Sequence, residues 1–342
     1  MKKLLLIFMI FIFVSGCQQV PDIANQNKKD EEIQFNSNLP FPTLLPIKES
    51  EIRGINVAKN TFLTLDEMEM NLMYYLKNKI STKLFYSPGE LLTATDVQNF
   101  LKNKTPENNG LNPENSTDKL ITTLIEQDYK NNDNIEYVAI GIGIDPTYMP
   151  KKENNEIDYD SFLNYNAKII GNEITNVIKD KLEYDFNIIY YFYQQSTNVV
   201  LPGTYFGYGE VSLKKDKKEN NLEKVNVINE EYIPFLESTG AQKDNTLNEE
   251  LKTLKSNVLK NFGDNIGINA IGYYQENNLN SLEINIILPT TTNIEGNIIV
   301  DYIESEINSL KKYNLKIKVN SAMGIPIGII EINNKNINKI MY

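Results

Sequence analysis

YVAIGIGIDP (Tyr137–Pro146) and NIIYYFYQ (Asn187–Gln194) flank a segment, Tyr159–Leu182, in which Phe162, Ile170, Ile174, Val177 and Ile178 recur at helical spacing. The two flanking runs are short and rich in β-branched and aromatic residues, as strands are. A strand, a returning helix and a second strand make parallel neighbours or near-neighbours in one sheet. The same order recurs downstream. Leu282–Leu288 reads as a strand, Ile294–Leu310 as a helix and Leu315–Val319 as a strand. Ile266–Gln275 precedes this second unit as a strand, joined to Leu282–Leu288 through a hairpin at Glu276-Asn277-Asn278. Leu247–Phe262 is a helix and Ile325–Ile332 a closing strand. The fold class expected is therefore α/β (α+β), with two related halves over 116–240 and 245–342. A single α+β sheet without duplication is the alternative.

Upstream, Glu49–Asn60 and Leu65–Lys79 carry helical patterns, the second with Met68, Leu72, Tyr75 and Leu76 and with Thr64 or Asp66 as its cap. Thr95–Leu101 is a short helix, 103–118 a loop, and Ser116–Tyr129 a helix with Leu120, Leu124 and Ile125 on one face. Residues 41–115 are thus expected to be mainly helical. Gly207–Leu213 is a further strand, closed by the charged turn Lys214–Asn221.

The N-terminus carries a different signal. Met1-Lys2-Lys3 precedes eleven residues, Leu4–Val14, without a polar group. That run suits a signal peptide and is too short to span a bilayer core of ~30 Å. It ends in Val14-Ser15-Gly16-Cys17, a lipobox. Cleavage is expected between Gly16 and Cys17, with Cys17 as the lipid attachment site. An odd thiol in an exported chain needs an explanation, and acylation of the single cysteine supplies one. Residues 17–40 are polar and read as a flexible tether. The expected location is the extracytoplasmic face of the cell membrane, held there by lipid.

Composition narrows the chemistry. Removal of residues 1–16, with Lys2 and Lys3, takes the formal charge from −11 to −13. This argues against nucleic acid as a partner. There is no histidine, and after lipidation there is no free thiol. Ser-His and Cys-His catalysis and soft-metal sites are thereby excluded, and no cofactor is indicated. Carboxylates remain, so a hydrolase built on two of them stays open.

Four clusters are candidates for function. Tyr190–Tyr193 is an aromatic strand whose side chains alternate between faces, read as core packing. Gly203, Tyr205, Phe206 and Tyr208 form a candidate binding loop, combining adaptable backbone with contact-prone rings. Glu49 and Arg53 are spaced to pair along a helix. Glu126 and Asp128, two apart on the expected helix, face different ways and make no pair there.

Several stretches taken together carry a resemblance. They are Leu45-Pro46-Ile47-Lys48-Glu49-Ser50 through Arg53-Gly54, Lys83–Tyr86 with Gly89–Leu92, Gly110–Pro113, Leu124–Tyr129, and Tyr193–Ser196 with Pro202-Gly203. With the lipobox, they make the chain resemble the CamS family of Gram-positive lipoproteins, the sex pheromone precursor family. The resemblance implies that a short apolar peptide from Met9–Gly16 can be released and act as a pheromone on a plasmid-bearing recipient cell. Phe13 and Ser15-Gly16 depart from the family pattern there. The partners implied are the membrane, signal-processing enzymes and an unidentified extracellular ligand or envelope component. The function expected is a non-enzymatic surface lipoprotein. The alternatives are a carboxylate-dependent hydrolase acting on envelope glycan, and a solute-binding lipoprotein.

Overall fold

The structure is a computed structural model. It describes residues 33–37, 39–55, 62–108, 110–114, 117, 119–197, 201–216, 220–289, 292–333 and 335–342. The signal segment, Gly16, Cys17 and most of the expected tether lie outside these residues, as does the end of the helix expected at 49–60.

Two sheets organise the described residues. The first has eight strands in sequential order: β1 (Ile33–Phe35), β2 (Thr43–Leu45), β3 (Phe85–Pro88), β4 (Ile121–Asn131), β5 (Asn134–Ile144), β6 (Phe186–Gln194), β7 (Thr204–Leu213) and β8 (Val225–Val227). The second has six, from β9 (Glu230–Phe235) through β10 (Gly267–Gln275), β11 (Asn278–Leu288), β12 (Leu315–Ser321) and β13 (Pro326–Asn333) to β14 (Asn336–Met341). The helices are α1 (Phe62–Leu76), α2 (Ala94–Phe100), α3 (Ala167–Ile178), α4 (Ser238–Lys243), α5 (Asn245–Phe262) and α6 (Asn293–Glu306). A helical turn, Tyr159–Ser161, and a π turn, Phe162–Asn166, lead into α3.

The halves share a wiring. From β3 to β8 the successive pairings run antiparallel, antiparallel, parallel, antiparallel, antiparallel, and from β9 to β14 they run the same way. The parallel pair in each half is joined by a helix, α3 between β5 and β6 and α6 between β11 and β12. Helix α2 sits between the first two strands of one half, as α4 and α5 do in the other.

This wiring moves the expected boundaries. The first half begins at β3, since α2 is the counterpart of α5, and not near residue 116. The second begins at β9, because Glu230–Phe235 pairs with β10. Residues 41–115 are mixed, carrying β2 and β3 as well as helices. The tether region contributes β1, which pairs with β2.

One expected helix is a strand. Leu120, Leu124 and Ile125 suggest a helix over Ser116–Tyr129, but 121–131 is β4, hydrogen-bonded between β3 and β5. Its residues from Thr123 to Lys130 are all buried, so the alternation that marks a half-exposed strand is absent.

Local signals set several ends. Thr93 and Asp96 close a capping box on α2, and Thr292 and Glu295 another on α6. Gly263, at φ 102°, ends α5 in a conformation that side chains resist. The hairpin turn at Glu276 and Asn277 (φ 49° and 63°) lies where it was expected.

Three cores follow. One face of the first sheet, including Ile140, Ile188, Tyr190 and Phe192, packs on α2 and α3. Its other face, including Ile189, Tyr191, Tyr193 and Tyr205, packs on Leu65, Met68, Leu72 and Leu76 of α1. Tyr190–Tyr193 is therefore core on both faces. The second sheet buries one face, with Ile284, Ile317 and Ile330, against α5 and α6.

Candidate functional site

The second sheet's other face is not covered by α5 and α6. Opposite it stands α1, whose two stripes do different work. Its apolar stripe is buried on the first sheet. Glu67, Asn71, Tyr74 and Tyr75 recur on a second stripe, three to four residues apart, and with Asn78 in the turn after the helix they line a cleft of about 730 Å³ between helix and second sheet. On the sheet side, three directly opposed cross-strand pairs of β10 and β11 present their side chains: Asn269 with Asn285, Ile271 with Glu283, and Tyr273 with Ser281. Lys318 of β12 joins them and pairs with Glu283 at 2.8 Å.

Behind the cleft-lining Tyr75, Tyr273 and Gln275 is a hydrogen-bonded latch. The hydroxyls of Tyr75 (α1) and Tyr273 (β10) both donate to Oε1 of Glu230 (β9), and the Tyr205 amide of β7 donates to Oε2 at 2.7 Å. Gln275 donates to the Tyr75 hydroxyl at 3.1 Å. Burial pushes the Glu230 carboxyl up, and the three donors oppose that shift. The same burial and the Glu230 charge push the Tyr75 phenol far above its ordinary value. Tyr232 packs against Tyr273 with ring centroids 5.0 Å apart.

Glu67 lies across from Glu283. Burial, then the charges of Glu283 and Asp66, push its carboxyl up to about 7. The cleft thus brings together two acidic groups, Glu67 with its carboxyl raised toward neutral pH and Glu283 ion-paired to a lysine.

A second acidic pair is internal. On β4, Glu126 and Asp128 are two residues apart and so share a face, which corrects the expectation that they diverge. Both are buried. Glu126 accepts from the Leu91 and Leu92 amides at 2.9 Å, and Asp128 accepts from the Glu90 amide at 2.8 Å. Burial, then the Glu126 charge, pushes Asp128 well above the usual carboxylate range. Burial also raises Glu126, against the pull of its two backbone donors. The Asp128 Oδ1 has no partner heavy atom within hydrogen-bond geometry. The pair is bonded to a backbone loop through the Glu90, Leu91 and Leu92 amides, so its role is to clamp 89–92 onto β4.

The other expected site residues fall elsewhere. Gly203 precedes β7, and its amide donates to the Tyr193 hydroxyl at 2.9 Å. Tyr205 and Phe206 are buried within β7, and Tyr205 donates its hydroxyl to the Met68 carbonyl. Tyr208 is half-buried, stacked on Tyr191 with Lys79 over its ring. This segment is core strand and not an exposed binding loop. Arg53 reaches Glu69 of α1 at 3.4 Å, in place of the expected pairing with Glu49. Among the described residues no group of three Asp, Glu, His or Cys side chains could hold a metal, and no helix is long and apolar enough to cross a membrane.

Residues 47–336 match the family described as CamS sex pheromone cAM373 precursor. The chain belongs to the CamS family. The fold agrees with that of a sex pheromone precursor from Lactobacillus salivarius, at a TM-score of 0.76 and 18% identity, over 91% of this chain and 98% of that one. It also resembles the C-terminal domain of the staph-cAM373 precursor from Staphylococcus aureus, at a TM-score of 0.63 and 19% identity, over 82% of this chain and 96% of that one. No curated protein matches in sequence. The stretches that suggested CamS turn out to be joints. Gly89–Leu92 and Leu124–Tyr129 are bonded to each other through the Glu126–Asp128 clamp. Gly89 is required there, because a Cβ would lie 2.5 Å from that of Glu126. Asn112 bridges Leu101 and Ile121. Of the cleft-lining residues, only Pro202 falls in a stretch that suggested CamS.

Proposed function

We propose that this CamS protein is an extracytoplasmic lipoprotein, anchored through Cys17, whose folded body binds a ligand in the cleft between α1 and the second sheet. The observation that carries the binding part is the lining of that cleft. The sheet face and the helix stripe that line it carry tyrosines, amides and a few charged groups, with Ile271 the one aliphatic side chain besides Pro202, where a packed interface would use mainly aliphatic residues. A site of ~300–1,000 Å³ with a few placed polar groups is the size of ordinary small-ligand sites. The lipobox supports the anchor, and CamS membership supports a surface location and a signal peptide whose apolar tail, within Met9–Gly16, is shed as a short peptide.

Labelled palmitate tests the anchor. It should be incorporated into the wild-type protein and not into Cys17→Ala, and incorporation into the variant would defeat the assignment. Mass spectrometry of culture medium tests the shed peptide by its presence or absence.

A hydrolase is the second reading, favoured by Glu67 near neutral pH facing the ion-paired Glu283. The two separate on turnover. A binding protein returns its ligand unchanged, whereas a hydrolase yields products that Glu67→Gln abolishes. An interleaved solute receptor is disfavoured, because among the described strands the chain passes from one sheet to the other once, after Val227.

A further inference from the structure

We infer that the occupant of the cleft is a neutral oligosaccharide, held by tyrosine faces and side-chain amides. This inference rests on the proposed reading of the cleft as a binding site and adds the class of ligand.

Charge comes first. The carboxylates and ammonium groups of the lining are Glu67, Glu283, Lys77 and Lys318, two of each sign, and Lys318 pairs with Glu283. Neither sign is in excess among these four, and Glu230, behind Tyr75 and Tyr273, is already taken up by three donors. An uncharged ligand gives up least here.

The polar groups also select. Amides line both walls, with Asn71 on α1, Asn78 in the turn after it, and Asn269, Asn280 and Asn285 on the sheet. Each amide carries donors and an acceptor, as each sugar hydroxyl both gives and accepts a hydrogen bond. Some are pre-oriented: Asn285 donates to Glu283 at 3.1 Å and Asn280 to Gln275 at 3.0 Å. The side-chain amides of Asn269 and Asn78 make no hydrogen bond among the described residues, leaving them for a ligand.

Ring faces complete the match. Tyr74 stands on the α1 stripe with 47% of its surface exposed, and the Tyr232–Tyr273 pair lies on the sheet side. The C–H face of a pyranose packs on such rings while its rim of hydroxyls meets the amides.

Backbone recognition is closed off. Strand β10 is hydrogen-bonded on both edges, to β9 and β11, and β11 to β10 and β12. An extended peptide cannot add a strand at this wall, so the mode that gives peptides most of their affinity on sheets is absent. Side chains must do the recognising, and these favour hydroxyls.

The test is calorimetric titration of the full-length chain in detergent micelles with tri-N-acetylchitotriose, and in parallel with uncharged, cationic and anionic octapeptides. The trisaccharide should bind, with an affinity changing less than about twofold as salt rises, since no net charge is engaged. Tyr74→Ala and Asn269→Ala should each weaken it by roughly tenfold. Tyr165→Ala removes a ring that is 68% exposed and remote from the cleft, and should leave affinity unchanged. If a peptide binds, the trisaccharide does not, and the cleft variants abolish peptide binding, the cleft is a site but the glycan inference is overturned. Trisaccharide binding indifferent to both cleft variants overturns it too. If neither ligand class binds and circular dichroism shows a folded protein, both the inference and the reading beneath it fail.

Discussion

Asp128 is a carboxyl with no exposed surface, sharing its burial with Glu126. Its proton affinity is raised in the fold, so the folded chain holds a proton that the unfolded chain, with an ordinary value of 3.8, releases. Stability from this group is full below that value and is lost as pH rises through the folded value. Asp128→Asn should therefore raise the melting temperature at pH 8 and leave it nearly unchanged near pH 4. An amide keeps the acceptor for Glu90 and offers Glu126 a permanent donor. Equal melting shifts at both pH values would show that no proton is held there. Glu67 follows the same sign over a defined window. Stability should fall between about pH 4.5 and about 7 as its carboxyl ionises, and Glu67→Gln should flatten that slope. Calorimetric scans across the window decide it. Neither residue declared its role in the sequence. Two positions apart diverge on a helix and converge on a strand, so the reading of Glu126 and Asp128 turned on a single element. Glu67 acquires its partner Glu283 only through tertiary structure.

Helix α1 is the element on which the cleft depends, because one stripe holds it to the first sheet and the other forms the cleft wall. Leu72 is fully buried in the first stripe. Leu72→Ala should cost about 2–5 kcal/mol in chemical unfolding. It should also weaken ligand binding, although Leu72 does not line the cleft. Binding that survives unchanged would show that α1 is not the cleft's wall. The sequence revealed α1 through Met68, Leu72 and Leu76, and it revealed the two parallel crossovers through their apolar runs. It hid β4, whose two covered faces erase alternation. The β-branched content of Ile121, Thr122, Thr123 and Ile125 was the signal that should have outweighed the helical spacing. It also hid β9 and β14, edge strands with polar or proline-containing sequences such as EEYIPF and NINKIM, which bury too little to leave a pattern.

At the scale of the molecule, two halves of the same wiring face each other across α1 and are tied by Glu230. Its carboxylate takes hydroxyls from one residue of α1 and one of the second sheet, and a backbone amide of the first sheet. Glu230→Ala leaves those donors without their acceptor and should destabilise the protein by about 1–3 kcal/mol. Hydrogen exchange should quicken along β7, β9 and the end of α1 while both cores stay protected. Uniform loss of protection would place Glu230 in the common core instead. The repeated strand-helix-strand order was legible in the sequence from the parallel crossovers. The cleft was not, because its walls come from residues about 200 positions apart, as Tyr75 and Tyr273 are, and neither wall carries a motif. The central claim is that this cleft is the binding site, and residue-resolved amide shifts during titration of the full-length chain with tri-N-acetylchitotriose test it most directly. The account predicts shifts confined to the cleft-facing positions of α1, β10 and β11, among them Asn71, Asn269 and Asn285. Saturable shifts mapping to any other surface, with those positions unmoved, would contradict it.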